Sequence, residues 1–406
     1  MNRMFNNIDE ALNWVMNRRR KHSPFIHFKN VMNKINNPQN EFKVIHVGGT
    51  NGKGSTVTFL RDLLMSLGYK VGTLQSPHYE SHLDRIRLNG NNISEDDFLR
   101  LLNDNYKLII DEELGMFEID YLIMCDYFKE NNIDFALIEV GMGGRLDSTN
   151  VIDNTKLSII TTIGYDHMDS LGNSLQDICY EKCGIIKNNS KVLVGYLGDD
   201  LKDIVKKICF ERNSEYYELE DYQEIEPRHF KYQDVEYEIK SYAKYQMHNA
   251  SLAIKALNIL SDEFNIIRNI NKEKEALKNS LWKGRFEIIK ENPRIILDGA
   301  HNIHGIEALC NSIRELEGTK MIIFSALRKK NYVEMLEELN SLDAELVVTS
   351  FNYPGSIKSK DIDNKYQFVL DYEKIIIDNI NKYDNIIVCG SLYFLSEFVN
   401  KKIIND

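Results

Sequence analysis

The sequence predicts an α/β protein with an N-terminal P-loop ATPase-type domain, built on a parallel sheet, and a smaller C-terminal Rossmann-like α/β domain. Strand-like apolar runs alternate with helical patterns along most of the chain, as they do where crossover helices join parallel strands. A glycine-rich loop containing a lysine follows the first buried-strand pattern. A second series of strands and helices begins near residue 293, and a chain of 406 residues is longer than one ordinary domain. We therefore predict domains at residues 1–291 and 292–406.

Hydrophobic periodicity assigns the individual elements. Helices of the N-terminal domain are predicted at residues 9–20, 57–67, 94–110, 118–129 and 248–260. Buried strands of this domain are predicted at residues 44–47, 70–74, 134–140 and 157–163. Residues 216–241, rich in Tyr and Glu among alternating apolar residues, are predicted to add antiparallel strands to it. Strands of the C-terminal domain are predicted at residues 294–297, 320–325, 344–349 and 385–389.

Composition indicates a soluble globular protein, because hydrophobic residues make up 43% of the chain and charged residues 27%. The net charge of −11 argues against a nucleic-acid-binding surface, so positive charge for an anionic substrate must be concentrated locally. The N-terminus lacks the apolar core of a signal peptide, and no apolar run approaches the roughly 20 residues that span a bilayer. The six cysteines are scattered, which is typical of reduced thiols. We therefore expect a cytoplasmic protein that binds neither nucleic acid nor membrane.

Residues 48–56, Gly-Gly-Thr-Asn-Gly-Lys-Gly-Ser-Thr, are the most informative segment. Glycines allow successive backbone N–H groups to turn toward an anion, and the helix that follows adds partial positive charge. Lys53 is placed to reach the outer phosphates of a nucleotide, and the hydroxyl of Ser55 or Thr56 can complete a Mg²⁺ shell. Gly54 departs from the usual P-loop pattern because it separates the lysine from the hydroxyl. The alternative is a glycine-rich connector that binds no ligand.

Four further side chains have chemistry that suits a nucleotide or a metal. Glu139 ends an apolar strand, where an acid commonly holds the metal of a P-loop nucleotide, although it could simply cap a buried strand. Ser76 follows another strand and could add a hydroxyl ligand. His167 is an unusual Mg²⁺ ligand, so a structural or hydrogen-bonding role is its simpler interpretation. Lys182 follows Glu181 and has the pattern of a surface lysine paired with a neighbouring acid.

The C-terminal domain contains its own strand-end candidates. Asp298 and His301 follow a strand, where ligand contacts are expected, although a helix cap would also explain Asp298. Arg285 precedes the predicted boundary, and its guanidinium suits a phosphate. Residues 381–384 fit the N-K-x-D pattern with which GTPases bind guanine, but here a helix precedes the pattern and a strand follows it. We therefore predict an ordinary helix-to-strand turn at residues 381–384.

Taken together, these motifs resemble the Mur ligase superfamily, and specifically the folylpolyglutamate synthases with their bifunctional dihydrofolate synthase relatives. The resemblance runs from about residue 9 to residue 399. It is carried by residues 49–55, 76–78, 139–150, 181–184, 284–287, 298–302 and 390–393. Each motif alone is only suggestive, whereas their shared order along the chain is specific.

The resemblance implies an ATP-dependent amide ligase that adds L-glutamate to folates, and possibly to dihydropteroate, through an acyl-phosphate intermediate. ATP and Mg²⁺ are the implied cofactors, and a reduced folate or dihydropteroate and L-glutamate are the other small-molecule partners of an expected monomer. The alternatives are a Mur-type ligase acting on another carboxylate, a P-loop regulator that binds nucleotide without ligation, and a small-molecule kinase.

The resemblance also assigns residues to each role, and reverses the simpler interpretations of His167 and Lys182. ATP would be bound by Gly49, Thr50, Asn51, Gly52, Lys53, Gly54, Ser55, Thr56, Asn249, Arg285 and Asp298. The metal would be bound by Ser76, Glu139, His167 and a carbamylated Lys182. The folate would be bound by Phe117, Glu118, Leu146, Asp147 and Ser148. The implied catalytic residues are Lys53, Lys182, Asp298 and His301.

Overall fold

A computed structural model describes residues 4–18 and 25–403 of the chain. Its helices are α1 (Ile8–Asn17), α2 (Phe25–Lys34), α3 (Lys53–Ser66), α4 (Glu95–Asp111), α5 (Met116–Glu130), α6 (Met168–Leu171), α7 (Leu175–Cys183), α8 (Asp199–Glu211), α9 (Lys244–Phe264), α10 (Ile270–Asn279), α11 (Ile303–Ile313), α12 (Tyr332–Asn340), α13 (Tyr372–Asn379) and α14 (Leu392–Asn400). Short 3₁₀ helices lie at Pro38–Glu41, His82–Arg85, Ser148–Val151 and Ser359–Asp361. Among the described residues, no helix is long and apolar enough to cross a membrane.

The strands begin and end as follows. They are β1 (Val44–Gly48), β2 (Val71–Leu74), β3 (Ile86–Leu88), β4 (Asn91–Asn92), β5 (Phe135–Glu139), β6 (Thr155–Ile160), β7 (Lys191–Val194), β8 (Glu215–Glu218), β9 (Gln223–Glu226), β10 (His229–Tyr232), β11 (Val235–Glu238), β12 (Glu287–Glu291), β13 (Arg294–Asp298), β14 (Lys320–Phe324), β15 (Glu345–Thr349), β16 (Gln367–Val369) and β17 (Asn385–Cys389).

Contacts divide the chain into two compact units. Unit 1 comprises Met1–Tyr222 and Asn249–Ser280, and unit 2 comprises Gln223–His248 and Leu281–Asp406. The domain limits predicted from the sequence, 1–291 and 292–406, remain a prediction about folding, and the contact division differs from them in two places. Strand β12 lies before residue 292 but pairs with β13 in the sheet of unit 2, and β9 to β11 also group with unit 2.

Unit 1 is built on one mixed sheet with the strand order β4-β3-β2-β5-β1-β6-β7-β8 among the described residues. Strands β2, β5, β1, β6, β7 and β8 are parallel, and β3 and β4 form an antiparallel edge. Every residue of β1 and β5 is buried, which explains why both read as unbroken apolar runs. Strand β8 corrects the expectation of antiparallel strands from residue 216, because it continues the parallel sheet.

The order of these strands positions a ligand site. After β1 the chain builds β2 to β5 on one side of β1, and it then crosses to β6, β7 and β8 on the other side. In open α/β sheets, ligands bind at the carboxyl ends of the strands where the order reverses. The residues that follow β1, β5 and β6 therefore form the expected site.

Unit 2 contains a small antiparallel sheet, β11-β10-β9, and a larger one in the order β12-β13-β17-β14-β15-β16, counted within the described residues. The larger sheet is parallel except for the edge strand β12, which pairs antiparallel with β13. Its core includes Ile296, Ile322, Phe324, Val348 and Ile387. Residues 381–384 lie after α13 and before β17, so the N-K-x-D pattern is a helix-to-strand turn, as predicted.

Candidate active site

The loop between β1 and α3 has the backbone conformation of an anion-binding P-loop. Gly49 and Gly52 adopt positive φ angles of 140° and 85°, and Gly52 is the N-cap of α3. No side chain in the described part of the chain caps this 14-residue helix, so the N–H groups of its first turn can bind an anion. The N-terminus of a long helix also carries partial positive charge, which favours phosphate.

Both glycines are required by close packing as well as by their φ angles. A Cβ atom on Gly49 would lie 2.0 Å from Thr161 Oγ1, and one on Gly52 would lie 2.4 Å from Asn249 Oδ1. Asn249, on α9, is buried and therefore packs directly on the loop. The resemblance assigns Asn249 to ATP, and its position against Gly52 is compatible with that role.

Thr161 and Thr162, which were not among the predicted site residues, hold the loop in place. Thr161 Oγ1 donates to the Asn51 carbonyl oxygen at 2.6 Å. Thr162 accepts from the Asn51 N–H through Oγ1 at 3.0 Å and from the Thr50 N–H through its carbonyl oxygen at 2.8 Å. These residues follow β6, and their only sequence signal is a pair of hydroxyl side chains at the end of a buried strand.

Two lysines converge on one carbonyl oxygen of the loop. Lys53 Nζ lies 3.2 Å from the Gly49 carbonyl oxygen and 3.2 Å from that of Thr50, and Lys182 Nζ lies 2.8 Å from the Gly49 oxygen. Lys182 is only 4% exposed, so its interpretation as a surface lysine is contradicted. Burial, followed by the nearby charge of Lys53, lowers the pKa of Lys182 to about 7. A large fraction of this amine is therefore neutral at neutral pH, and the neutral form is the nucleophilic one.

Close backbone packing explains how Lys182 becomes buried. A Cβ atom on Gly144 would lie 2.6 Å from the Lys182 carbonyl oxygen, and one on Gly184 would lie 2.3 Å from Arg145 Cα. The acid beside Lys182 forms an ion pair elsewhere, because Glu181 Oε1 lies 2.8 Å from Arg145 Nη2. The loop after β5 and the end of α7 are thus in direct backbone contact.

Glu139 and Ser76 lie at the same edge of the sheet as the P-loop. Glu139 is the last residue of β5, stands opposite Val47 of β1, and is 5% exposed. Ser76 follows β2, which pairs with β5, and the adjacent Gln75 donates its amide N–H to the Gly54 carbonyl oxygen at 3.0 Å. His167 is the N-cap of the short helix α6, has a φ of 52°, and lies 3.8 Å from Asp166 Oδ2.

These residues suit Mg²⁺ by their chemistry. A carboxylate, a hydroxyl and a carbamylated lysine all offer oxygen ligands, which Mg²⁺ prefers. Among the described residues, no group of three or more His, Cys, Asp or Glu side chains could hold a metal. The predicted set contains only Glu139 and His167 of those types, so it depends on oxygen from Ser76 and from a modified Lys182.

Of the predicted folate residues, Phe117, Leu146 and Asp147 lie at the loop after β5, whereas Ser148 is buried and Glu118 caps a helix. Phe117 and Asp147 meet at Gly141, where a Cβ atom would lie 3.2 Å from the Phe117 ring and 3.2 Å from Asp147 Oδ2. Leu146 is 54% exposed and lies in the same loop. Ser148 is buried, and the Glu118 carboxylate accepts from the Gly115 N–H at 2.9 Å, which caps α5.

Asp147 also organises its own loop. Its Oδ2 accepts from the Met142 N–H at 2.8 Å, and its Oδ1 accepts from the Thr149 N–H at 2.9 Å and from Thr149 Oγ1 at 2.6 Å. Burial raises the pKa of this carboxyl, and the hydrogen bonds from Thr149 and the backbone oppose that rise. The conformation of residues 141–149 therefore depends on the Asp147 carboxylate.

In unit 2, Asp298 is the centre of a second cluster. Asp298 Oδ2 accepts from the Tyr245 hydroxyl and from the Phe286 N–H, and Oδ1 accepts from the Ala300 N–H. Burial raises the pKa of Asp298, although the charge of Arg285 and these hydrogen bonds oppose the rise. The helix α11 is capped by Asn302, which leaves Asp298 to hold the turn around Arg285.

Arg285 and His301 lie beside the same glycine of this cluster. A Cβ atom on Gly299 would lie 2.3 Å from Arg285 Nη1, and His301 Nδ1 lies 2.9 Å from the Gly299 carbonyl oxygen. Tyr245 was not among the predicted residues, because a tyrosine in a helical pattern is an ordinary core residue. All three polar side chains, Arg285, Asp298 and His301, are therefore gathered at the carboxyl end of β13.

Comparison with known proteins shows similarity over most of the chain. The profile of the Mur ligase middle domain matches residues 47–257, and that of the Mur ligase glutamate ligase domain matches residues 284–392. The chain is 33% identical to the dihydrofolate synthase/folylpolyglutamate synthase of Bacillus subtilis, over 91% of this chain and 92% of the relative.

Solved structures show the same fold. A folylpolyglutamate synthase from Thermotoga maritima has a TM-score of 0.81 at 28% identity, covering 98% of this chain and 96% of that one. A Mycobacterium tuberculosis folylpolyglutamate synthase complexed with ADP has a TM-score of 0.87 at 21% identity, covering 98% of both chains. The predicted fold class is confirmed by these similarities.

Proposed function

This chain belongs to the Mur ligase family, in its dihydrofolate synthase/folylpolyglutamate synthase branch, and we propose on that basis that it uses ATP to join L-glutamate to the carboxyl group of a folate. Members of this branch are ATP-dependent ligases that add glutamate to folates. The observation that carries the proposal is the convergence of Lys53 and Lys182 on the Gly49 carbonyl oxygen, at the N-terminus of α3. Lys53 and the N-terminus of α3 supply positive charge there, in a chain whose net charge is −11.

The chemical problem is that a carboxylate is a poor acyl donor. In the proposed reaction its oxygen attacks the γ-phosphorus of ATP, the bond to the β-phosphate oxygen breaks, and ADP leaves. The resulting acyl phosphate has a reactive carbonyl, which the amine of L-glutamate attacks, and inorganic phosphate leaves as the amide forms. Water must be kept from the acyl phosphate, since hydrolysis would waste it.

The P-loop residues stabilise the transferred phosphoryl group in this proposal. The first-turn N–H groups of α3 point toward the β- and γ-phosphates, and Lys53 moves its ammonium from the loop carbonyls to the phosphate oxygens. Thr161 and Thr162 hold the loop carbonyls and N–H groups in position, so little reorganisation is needed when ATP binds. Asn249 packs on Gly52 and completes the wall of the loop.

We propose Mg²⁺ ligands on the same edge of the sheet: Ser76, Glu139, His167 and a carbamylated Lys182. When bound, Mg²⁺ supplies positive charge that offsets the negative charge on the transferred phosphoryl oxygens. Burial supports carbamylation, because it favours the neutral amine of Lys182, which can add to CO₂ and release a proton; the carbamate would give the cation an oxygen ligand.

The folate is proposed to lie against the loop of residues 141–148. Phe117 offers an aromatic face, Leu146 an exposed apolar side chain, and Asp147 a carboxylate that suits the N–H groups of a pteridine ring. The resemblance also assigns Glu118 and Ser148 to this site. Because the Glu118 carboxylate caps α5, we propose that Glu118 positions this helix and does not bind the folate directly.

For unit 2 we propose that Arg285 and Asp298 contact ATP and that His301 and Asp298 take part in catalysis. The guanidinium of Arg285 suits a phosphate oxygen, and Asp298 keeps the backbone around Arg285 in place through the Phe286 N–H. We also propose that the protein is a cytoplasmic monomer and that its substrate is a reduced folate, dihydropteroate, or both.

An ADP-release assay tests the proposal by crossing dihydropteroate, dihydrofolate and tetrahydrofolate with and without L-glutamate. We expect ADP only when ATP, a pteridine substrate and glutamate are all present. ADP formed with a nucleotide-linked peptide precursor alone would indicate a different Mur ligase, and ADP formed without an amino acid would indicate a kinase. Nucleotide binding without turnover on any carboxylate would indicate a regulator.

A further inference from the structure

A buried chain of three polar side chains connects the central strand of unit 1 to the folate loop. His46, on β1, is 0% exposed, and its Nε2 lies 2.8 Å from Thr149 Oγ1. Thr149 Oγ1 in turn lies 2.6 Å from Asp147 Oδ1. The proposed reaction gives no role to His46, whose imidazole is buried in the middle of β1.

The directions of the two hydrogen bonds follow from the donors available. An ionised carboxylate can only accept, so the single hydroxyl proton of Thr149 is donated to Asp147. The Thr149 oxygen must then accept its other hydrogen bond, which requires a proton on His46 Nε2. His46 Nε2 therefore carries a proton. Its Nδ1 is buried without a hydrogen-bond partner among the described residues, and a second proton there would be a buried charge with no acceptor, so the ring is neutral. Burial, followed by the charge of Lys187, lowers the pKa of His46 to about 3, in agreement with a neutral ring.

The chain matters because Asp147 holds the loop that carries the folate residues. Its carboxylate binds the Met142 N–H and caps the 3₁₀ helix Ser148–Val151 through the Thr149 N–H. If the Thr149 hydroxyl could rotate freely, Asp147 would lose one of its donors. A fixed Thr149 hydroxyl therefore fixes the carboxylate that the loop depends on.

We propose that His46 is a positioning residue for folate binding, acting through the Thr149 hydroxyl on the orientation of the Asp147 carboxylate. The proposal rests on the proposed function only in that Asp147 is taken to contact the pteridine. His46 itself touches neither substrate nor reacting atoms. Its effect should therefore appear in the KM for the pteridine substrate, and not in the KM for ATP.

Steady-state kinetics of five variants test the proposal. His46→Leu removes the donor and Thr149→Val removes the hydroxyl. Each should raise the KM for the pteridine about tenfold, the equivalent of one hydrogen bond. The KM for ATP and kcat should change less than about twofold. The matched controls are His46→Gln, whose amide N–H can replace Nε2–H, and Thr149→Ser, which keeps the hydroxyl; both should stay close to the wild type. The double variant, His46→Leu with Thr149→Val, should be no worse than Thr149→Val alone, because both changes interrupt one chain.

Three kinetic outcomes would overturn the proposal. One is an unchanged pteridine KM in His46→Leu and Thr149→Val, which would leave His46 with a packing role only. Another is an equal rise in the KM for ATP, and the third is a His46→Gln variant as impaired as His46→Leu.

Nitrogen NMR of the wild-type histidines gives a readout that does not depend on the ligase reaction. The proposal expects His46 to be neutral with its proton on Nε2 at neutral pH, and an Nδ1–H tautomer or an imidazolium would overturn it. A wild-type protein that shows the Nε2–H tautomer but releases no ADP with any pteridine would contradict the proposed function and leave the hydrogen-bond chain intact.

Discussion

Lys182 Nζ lies 2.8 Å from the Gly49 carbonyl oxygen with only 4% of the residue exposed, although its sequence neighbours Tyr180 and Glu181 are typical of an exposed helix face. Local periodicity could not predict this burial, because it arises from backbone contacts of Gly144 and Gly184 that join segments distant in sequence. Only the resemblance to a family pointed to Lys182. Thr161 and Thr162 were missed for a related reason, since threonine is an ordinary residue at a strand end.

Mass spectrometry of peptides prepared without acid tests the carbamylation of Lys182. A buried amine with a pKa of about 7 is partly neutral near neutral pH and can attack CO₂, so we expect a peptide containing Lys182 with the added mass of one CO₂. Lys207, exposed on α8, is the internal control and should be unmodified. Fully active enzyme with an unmodified Lys182 would contradict this role.

Lys53→Ala should lower kcat by about a hundredfold to a thousandfold, because it removes a preorganised positive charge from the transferred phosphoryl group. The fold should be retained, since the Lys53 ammonium contacts carbonyl oxygens of its own loop, those of Gly49 and Thr50. Steady-state ADP release and circular dichroism measure both effects. Lys207→Ala is the matched surface control, and equal activity in the two variants would refute the phosphate-binding role of Lys53.

At the scale of elements, the sequence predicted the strands β1, β2, β5, β6, β13, β14, β15 and β17 of the two main sheets, but not β3, β4, β7, β12 and β16. Unbroken apolar runs identified β1, β5, β6, β13, β14, β15 and β17, because parallel strands are covered on both faces. The predicted helix at residues 9–20 corresponds to α1, which ends at Asn17, and residues 19 and 20 lie outside the described part of the chain. The pairing of β8 and of β9 to β11 was not predictable, since short polar strands do not indicate which sheet they join.

Two glycines with similar φ angles, Gly52 in the loop between β1 and α3 and Gly68 after α3, differ in their surroundings. Gly52 has a φ of 85° and packs on Asn249, whereas Gly68 has a φ of 94° and a Cβ atom added there would meet no described atom within 4 Å. Each change to alanine should cost about 1 kcal/mol of stability from the left-handed backbone conformation. Only Gly52→Ala should also displace the P-loop, and we expect its KM for ATP to rise at least about tenfold.

Thermal denaturation and ATP kinetics of Gly52→Ala and Gly68→Ala separate these two contributions. A normal KM for ATP in Gly52→Ala would show that contact with Asn249 does not shape the phosphate site. An equal rise in both variants would assign the effect to lost stability alone.

At the scale of the molecule, the sequence predicted two α/β parts but not where the chain passes from one to the other. Residues 223–248 and strand β12 belong by contact to unit 2, although both precede the predicted boundary at residue 292. The boundary was drawn at the Asn-Pro step, yet that step is the turn of a hairpin that joins β12 to β13. Domain boundaries depend on contacts between segments that are distant in sequence, and local composition does not predict those contacts.

Two histidines, the buried His46 and the partly buried His78, should make unit 1 lose stability in mild acid. Burial, followed by neighbouring positive charge, lowers the pKa of His46 to about 3 and that of His78 to about 4, from 6.5 in the unfolded chain. Both rings stay neutral in the folded protein while the same histidines of the unfolded chain take up protons. Their contribution to the free energy of unfolding is therefore complete above pH 6.5, and it declines as the pH falls toward their pKa values in the folded protein. Each histidine contributes a slope of up to about 1.4 kcal/mol per pH unit.

Urea unfolding of the wild type and of His46→Gln across this pH range measures the contribution of one histidine. The raised pKa values of Asp147 and Asp298 act in the opposite direction, so the difference between the two proteins, and not the total slope, is the quantity to compare. We expect a shallower decline in His46→Gln. Identical slopes would show that His46 is not held neutral by the fold.

If ATP activates a folate carboxylate as an acyl phosphate, an oxygen atom of that carboxylate must pass to the phosphate, and an isotope experiment can follow it. The folate carboxyl is labelled with heavy oxygen, and the products are analysed after reaction with ATP, Mg²⁺ and L-glutamate. We expect one labelled oxygen in the inorganic phosphate for each amide formed, with ADP as the nucleotide product. Label in AMP, or ADP release with no label in phosphate, would contradict it.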